Sequence, residues 1–157
     1  MPPTVLETRR DQLFPILPQA AIDRIRHYGQ VRAYTDGELL EQLGRRGDGL
    51  VVVLSGRVAV TRRDGVGHDQ AVVEHGPGSF LGELAQLSGR PALVDGRAVG
   101  PVEALVISPQ GLRAILVAEA DLGETVMRAL ILRRVGLLEV GAGGPVIVGP
   151  HEHPAVR

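Results

Sequence analysis

Short apolar runs separated by glycine- and proline-containing turns constrain the fold of this chain more than any other feature. Residues 50–54 (Leu-Val-Val-Val-Leu) are typical of a buried strand, and the Ser-Gly-Arg turn at 55–57 is predicted to reverse the chain into a second strand at 58–61. Further strands are predicted at residues 71–73, 93–99 and 102–107, with turns at 36–37, 64–65 and 100–101. Short strands at spacings of about eight to twelve residues favour an antiparallel barrel or sandwich.

Helices are predicted on both sides of this strand-rich region. Pro18 suits the first turn of a short helix over residues 18–27, and Gly29 suits its end. The pair Ser108 and Pro109 is predicted to cap a second short helix over residues 110–117. The chain is therefore expected to combine a β core with flanking helices.

A longer helix is predicted over residues 121–140. Its apolar residues fall near heptad spacing, and Arg133 and Arg134 interrupt the stripe that they form. The apolar positions are Leu122, Val126, Ala129, Leu130, Leu137 and Val140. Because a narrow stripe suits packing against a partner helix as well as against a core, a homodimer through residues 121–140 is expected.

The composition excludes several classes of function. The 157 residues contain no cysteine, so disulfides, cysteine zinc sites and thiol redox chemistry are absent from this chain. A net charge of −1 argues against an extended nucleic-acid-binding surface. Because no apolar stretch is long enough to span a bilayer and residues 1–7 do not resemble a signal peptide, a cytoplasmic location without a membrane partner is expected.

Residues 76–92 (Gly-Pro-Gly-Ser-Phe-Leu-Gly-Glu-Leu-Ala-Gln-Leu-Ser-Gly-Arg-Pro-Ala) form a candidate anion-binding cassette. Glycines permit a tight backbone, and Glu83 stands where a short apolar helix is predicted to begin. The free N–H groups at a helix start favour a phosphate, and the adjacent carboxylate can accept a hydrogen bond from a sugar hydroxyl. In the alternative interpretation, Glu83 only stabilises the dipole of that helix.

The order of these features resembles the cyclic nucleotide-binding domain of the Crp/Fnr and protein-kinase-regulatory type. The resemblance rests on Gly37, on Val-Leu-Ser-Gly at 53–56 and on Phe-Leu-Gly-Glu-Leu-Ala at 80–85, and it extends over about residues 18–140. It implies an antiparallel β jelly-roll with short N-terminal helices and a long C-terminal helix. The implied domain is 1–140, with the barrel at about 30–107 and the C-terminal helices at about 109–140. Residues 141–157 are expected to be a linker or the start of a missing downstream domain.

The resemblance also assigns roles within the cassette for cyclic AMP or cyclic GMP. It implies that Glu83 binds the ribose 2′-hydroxyl, and that Gly82 and the amides of Leu84 and Ala85 lie beside the ribose phosphate. The family places an arginine after the proline that follows the cassette helix, where this chain has Ala92 after Pro91. Since a charge-assisted hydrogen bond contributes about 1.5–3 kcal/mol, its loss is expected to weaken binding by roughly tenfold to a few hundredfold.

Two further parts of this expected ligand site are less well defined. Arg90 lies at the tip of the cassette and is either a substitute for the missing arginine or a solvated turn residue. Leu93 completes the candidate segment. The region of the long helix that helps to recognise the base corresponds to Leu138 and Glu139, where the leucine removes a hydrogen-bonding option.

A closer resemblance concerns residues 9–15, 131–137 and 143–147. These segments are similar to the N-terminal regulatory domain of a bacterial group of flavin-dependent, thioredoxin-reductase-like proteins. The resemblance implies that this chain is the regulatory piece and that FAD and NADPH belong to a missing downstream domain. The flavin and NADPH fingerprints and the redox cysteine pair of such a reductase are absent from this sequence.

The remaining candidate residues favour structural interpretations. His151, Glu152 and His153 are expected to be a solvated tail rather than a metal site, because no third ligand type is nearby. Arg133 and Arg134 are expected to be solvated or to edge an interface rather than to contact nucleic acid. No helix-turn-helix follows the long helix in this sequence, so the chain is not expected to read DNA.

The leading hypothesis from the sequence is therefore a non-catalytic regulatory module, without a cofactor of its own, that controls a fused or partner flavin reductase. The first alternative is a degenerate domain that binds no cyclic nucleotide and serves as a dimerisation or docking module. A sensor for a different anionic ligand, with Arg90 contributing, is the second. An enzyme is the third, since no nucleophile, base or carboxylate pair of catalytic spacing is present in the sequence.

Overall fold

The computed structural model describes residues 14–63 and 69–141. Along the described part of the chain, a short helix α1 and a 3₁₀ turn are followed by six strands, with a one-and-a-half-turn helix between the fifth and the sixth, and then by two helices. The helices are α1 Gln19–Ile25, α2 Glu83–Ser88, α3 Pro109–Ala118 and α4 Ala120–Gly141, with the 3₁₀ turn at Arg26–Tyr28. The strands are β1 Gly29–Tyr34, β2 Leu39–Glu41, β3 Leu50–Arg63, β4 Asp69–His75, β5 Phe80–Leu81 and β6 Asp95–Ile107.

The strands form one antiparallel sheet of six strands in the order β1-β6-β3-β4. Strand β2 pairs with one end of β6, and β5 pairs with β3. In the central pair, Val52 lies opposite Leu105 and Val58 lies opposite Ala98. This arrangement confirms the predicted antiparallel β architecture with flanking helices.

Two of the turns predicted from glycine are wrong, because β3 and β6 run through them as strands of 14 and 13 residues. Gly56 and Gly100 have φ angles of 88° and 74°, and the β3–β6 register shifts on either side of Ser55. A Cβ atom on Gly56 would lie 2.4 Å from the carbonyl oxygen of Pro101. The left-handed glycines therefore form bulges that bend two paired strands together, instead of reversing the chain.

The predicted helices are confirmed with small changes of boundary. The segment predicted over 18–27 forms α1 and continues as the 3₁₀ turn to Tyr28. Helix α3 is capped as expected, since the Ser108 hydroxyl accepts a hydrogen bond from the Gly111 N–H at 3.1 Å and Pro109 occupies the first turn. Helix α4 matches the long helix predicted over 121–140.

The apolar stripe of α4 is used mainly within the domain. Leu122, Val126 and Ala129 are buried in the core that α1, α3 and the central strands form. The stripe was predicted to suit a partner helix as well as a core, and the structure packs these three positions against the core of their own chain. On α4, Met127 and Ile131 remain 39% and 59% exposed. The next predicted positions, Leu137 and Val140, have side chains outside the described part.

Several predictions fall outside the described residues: the turn at 64–65, the linker predicted from residue 142 onward and the histidines of the last seven residues. Among the helices that the structure describes, none has both the length and the apolar character that a bilayer crossing requires. Within the same residues, no group of three or more His, Cys, Asp or Glu side chains is arranged to hold a metal ion.

Candidate ligand-binding site

The cassette is built at the point where strand β5 ends against the central strand β3. Leu81 pairs with Val51, and Gly82 then turns the chain directly into α2 with a φ angle of 88°. A Cβ atom on Gly82 would lie 3.0 Å from the carbonyl oxygen of Gly49. Both constraints favour glycine, and together they place Glu83 at the first residue of α2, on the floor of the site.

Glu83 is 4% exposed, and its carboxylate is held by an arginine from α4. The Arg133 Nη1 atom donates to Glu83 Oε1 at 2.8 Å and to the carbonyl oxygen of Phe80 at 2.9 Å. The side chains of Arg133 and Glu83 are only 11% and 5% exposed. The prediction of a solvated Arg133 is therefore wrong, because this cation is buried and compensates a buried carboxylate.

Two aromatic rings also contact the guanidinium group of Arg133. Its Cζ atom lies 4.7 Å from the ring centroid of Phe80 and 5.5 Å from that of Phe14. These are the two phenylalanines of the whole sequence. Phe14 also makes an edge contact with His75 at 6.1 Å between ring centroids. Arg133 is thus oriented by a carboxylate, a carbonyl and two rings, which fixes α4 relative to the cassette.

Burial and this positive charge perturb the neighbouring ionisable groups. Burial, reinforced by the charge of Arg133, lowers the pKa of His75 to about 3, so the imidazole is neutral. Burial and then the charge of Glu83 raise the pKa of Glu41 to about 8, with a further contribution from Asp95 and an opposing one from Arg133. The site therefore holds more carboxyl groups than cations, and Glu41 is mainly protonated at neutral pH.

At the position of the family's phosphate arginine, the structure places a buried small residue. Ala92 is 2% exposed, its N–H donates to the Arg45 carbonyl at 2.9 Å, and its own carbonyl accepts from the Gly44 N–H at 2.9 Å. Arg90 and Pro91 are exposed, and the Arg90 N–H donates to the Ser88 hydroxyl at 3.3 Å. This segment consequently runs along the loop between β2 and β3, and its arginine lies on the surface.

The other candidate residues are distributed around the cassette. Leu84 and Ala85 lie in the first turn of α2, and their side chains are outside the described part of the chain. Leu93 is 46% exposed. Arg97, a neighbour in β6, donates to the Gly37 carbonyl at 2.7 Å, which is a structural contact. The structure thus brings Gly82 and Glu83 together with α2, and leaves Arg90 and Leu93 at the rim.

Sequence reasoning did not find the roles of Arg133, Phe14 and Glu41 in this site. One signal was available for Arg133, since it interrupts the apolar stripe of α4 one turn after the buried Ala129. A cation in such a place needs a buried anion or must be exposed. No comparable signal distinguishes Glu41 or Phe14 from ordinary loop and strand residues.

Comparison with known proteins agrees with this geometry. The family model of the cyclic nucleotide-binding domain matches residues 31–119. A cyclic nucleotide-gated potassium channel of Rhizobium etli is 29% identical over 124 residues, which are 79% of this chain and 33% of the channel. This chain therefore spans about a third of that curated relative.

Two solved structures show the same fold. The catabolite activator protein of Thermus thermophilus matches with a TM-score of 0.67 and 26% identity, over 84% of this chain and 62% of that protein. The N-terminal domain of a transcriptional regulator from Streptomyces coelicolor A3(2) matches with a TM-score of 0.60 and 25% identity, over 84% of this chain and 92% of that domain. The antiparallel jelly-roll expected from the sequence is confirmed, and the chain belongs to the cyclic nucleotide-binding domain family.

Proposed function

We propose that this chain is a regulatory module that binds a cyclic nucleotide weakly and transmits binding to its C-terminal helix. The observation that carries this proposal is the ion pair between Glu83 of the cassette and Arg133 of α4. One carboxylate is both the expected acceptor for the ribose hydroxyl and the anchor for the helix. A change at the cassette therefore changes the contacts of α4.

The coupling follows from the hydrogen-bonding capacity of Glu83. Its Oε1 atom already accepts from Arg133 at 2.8 Å, and an arriving ribose hydroxyl would donate to the same carboxylate. The ligand then either shares the carboxylate with the guanidinium or displaces it. Both outcomes alter the free energy of one position of α4 relative to another, which is the requirement for a ligand-dependent switch.

Weak binding is proposed because position 92 carries no positive charge. The backbone N–H groups at the start of α2 can still favour a phosphate. Without a charge-assisted bond from position 92, affinity is expected to be lower by roughly tenfold to a few hundredfold than with an arginine there. Ala92 is buried and its backbone is hydrogen-bonded to Arg45. An arginine introduced at position 92 would therefore extend from a buried backbone position.

Calorimetric titration with cyclic AMP and cyclic GMP tests this proposal. Ala92→Arg is expected to strengthen binding at least tenfold, and Ala92→Gln supplies a matched control for bulk without charge. Glu83→Gln is expected to weaken binding by removing the charged acceptor. Absence of binding at millimolar ligand in the original chain and in Ala92→Arg would overturn the proposal.

The second candidate function is a docking or dimerisation module that binds no cyclic nucleotide. It is favoured by the neutralisation of Glu83 within the fold and by the apolar surface that α4 leaves at Met127 and Ile131. In this case Ile131→Asp is expected to lower the mass measured by light scattering from that of a dimer toward that of a monomer, and Leu130→Asp serves as a second variant. Val117→Asp on α3, where the side chain is 86% exposed, is the control.

The regulated enzyme is proposed to be a fused or partner flavin-dependent, thioredoxin-reductase-like protein. The support is the similarity of residues 131–137 and 143–147 to that group, and FAD and NADPH would be bound by the reductase. Coding sequence for a reductase directly beyond residue 157 in the source genome would support this assignment. If the activity of that reductase did not respond to cyclic nucleotide, whether this module was present or absent, the assignment would be contradicted.

A further inference from the structure

A cavity of about 880 Å³ lies outside the cassette, on the side of the sheet formed by β1, β2 and the loop that joins β2 to β3. We call it the loop cavity. Arg32 of β1 and Arg45 and Arg46 of the loop line it, and Gly82 marks its border with the cassette. The loop cavity is therefore adjacent to the expected cyclic nucleotide site and shares Gly82 with it, whereas Glu83, Arg90 and Ala92 lie outside its lining.

The arginines of the loop cavity differ in their partners. Arg32 forms an ion pair with Asp48 at 3.0 Å, and this contact raises the pKa of Arg32. In the described part of the chain, the guanidinium groups of Arg45 and Arg46 form no ion pair and no hydrogen bond with a protein group. Two charges that face the same cavity without a carboxylate partner favour an anionic ligand.

Of the remaining carboxyl groups of the cavity, Glu38 offsets one of these two positive charges and leaves the other. Glu38 Oε1 accepts hydrogen bonds from the N–H and the hydroxyl of Thr35, at 2.9 and 3.1 Å. Burial raises the pKa of Glu41 to about 8, so this carboxyl is mainly protonated at neutral pH and can donate to an anion. The cavity is thus net positive near pH 7.

The loop that carries the arginines is fixed by hydrogen bonds to the cassette side of the domain. The Leu43 N–H donates to Asp95 at 2.7 Å, and the Gln86 side chain donates to the Arg46 carbonyl at 2.6 Å. The backbones of Gly44 and Arg45 form two hydrogen bonds with Ala92, both of 2.9 Å. Four anchors set the loop before any ligand arrives, which lowers the entropy cost of binding.

We propose that the loop cavity is a second ligand site, for a phosphate-bearing anion held by Arg45 and Arg46. Guanidinium groups bind phosphate oxygens through paired hydrogen bonds, and the protonated Glu41 supplies a further donor. Tyr34 lies on the same wall and offers a ring and a hydroxyl to the rest of the ligand. Arg45 and Arg46 hold the anion without Glu83, which does not line the cavity and acts on it only through the charge that it exerts on Glu41.

Calorimetric titration of the full chain with inorganic phosphate and with 5′-AMP, at constant ionic strength, tests the proposal. The variant Arg45→Gln/Arg46→Gln is expected to weaken binding at least tenfold. Arg113→Gln, on the exposed face of α3, is the matched control for loss of one surface charge and is expected to bind as the original chain does. Both arginines are exposed, and thermal unfolding verifies that the double variant folds.

The Glu83→Gln variant separates this site from the cassette. Binding of phosphate or 5′-AMP that survives Glu83→Gln and is lost in the double arginine variant supports the loop cavity. If 5′-AMP binds more tightly than phosphate, the nucleoside also contacts the cavity. If the two bind with equal affinity, the cavity contacts only the phosphate group. Absence of saturable binding at millimolar concentrations, equal weakening by Arg113→Gln, or loss in a Glu83→Gln variant that thermal unfolding shows to be folded overturns the proposal.

Discussion

Replacement of Arg133 by methionine is expected to be among the most destabilising single changes on α4. Methionine keeps much of the length and apolar contact area of the side chain, so the change removes mainly the charge. Glu83, 4% exposed, then loses its cation inside the domain. Breaking a buried ion pair from one side costs about 3–5 kcal/mol, and loss of the contacts with the two phenylalanine rings adds about 0.5–2 kcal/mol.

Urea unfolding followed by circular dichroism measures this effect. For a chain of this size a loss of 3–5 kcal/mol corresponds to a Tm lower by about 6–20 °C. The double variant Arg133→Met/Glu83→Gln removes both charges and is expected to recover a large part of the loss, with a coupling energy above about 2 kcal/mol. Arg128→Met, which breaks an exposed pair with Glu124 on the same helix, is the control and should cost only about 0.3–0.5 kcal/mol.

Two results would refute this reasoning. A loss below about 1 kcal/mol for Arg133→Met would mean that water reaches Glu83 and that the pair acts as a surface pair. Additive effects in the double variant would mean that the two side chains are not energetically coupled. In either case the ion pair would no longer support the proposed coupling between the cassette and α4.

Three further predictions concern ionisation, backbone geometry and capping. The folded-state pKa of Glu41 is raised to about 8 from its ordinary 4.5, so the stability that its protonated form contributes is fully present below about pH 4.5 and is lost as pH rises toward 8. Glu41→Gln should therefore raise Tm by several degrees at pH 7.5 and leave it unchanged at pH 4.5, and equal shifts at both pH values would contradict this. Gly56→Ala is expected to lower the free energy of unfolding by about 2–4 kcal/mol in urea titration, because the added Cβ meets the Pro101 carbonyl at 2.4 Å in a left-handed backbone; a change below about 1 kcal/mol would show that the bulge relaxes. Ser108→Ala should cost about 1 kcal/mol by removing the cap of α3, and an unchanged midpoint of unfolding would mean that water replaces the hydroxyl.

Local signals in the sequence were sufficient for most elements of the fold. The cap at Ser108 and the run of valines in β3 depend only on neighbouring residues, and both predictions are confirmed. The turn predicted at Gly56 is wrong, because a glycine with positive φ serves a bulge as well as a turn. Pairing with β6, 40 or more residues further along the chain, decides between the two.

The candidate site was predictable only in part for a similar reason. Glu83 and the helix start belong to one continuous motif, so they were identified from the sequence. Its partner Arg133 lies 50 residues away, and the burial of Glu41 depends on how a three-residue strand meets β6. Such distant contacts leave no periodic trace in a single sequence. That Arg90 and Leu93 contact the ligand stays a prediction from the sequence.

The contact between Phe14 and Arg133 has a mechanical consequence. Phe14 precedes α1, whereas Arg133 belongs to α4, so the segments at the two ends of the described part of the chain meet at a single guanidinium. Movement of the segment that contains Phe14, or of α4, would change the position of the guanidinium that pairs with Glu83. Displacement of either segment would therefore act on the ion pair between Arg133 and Glu83.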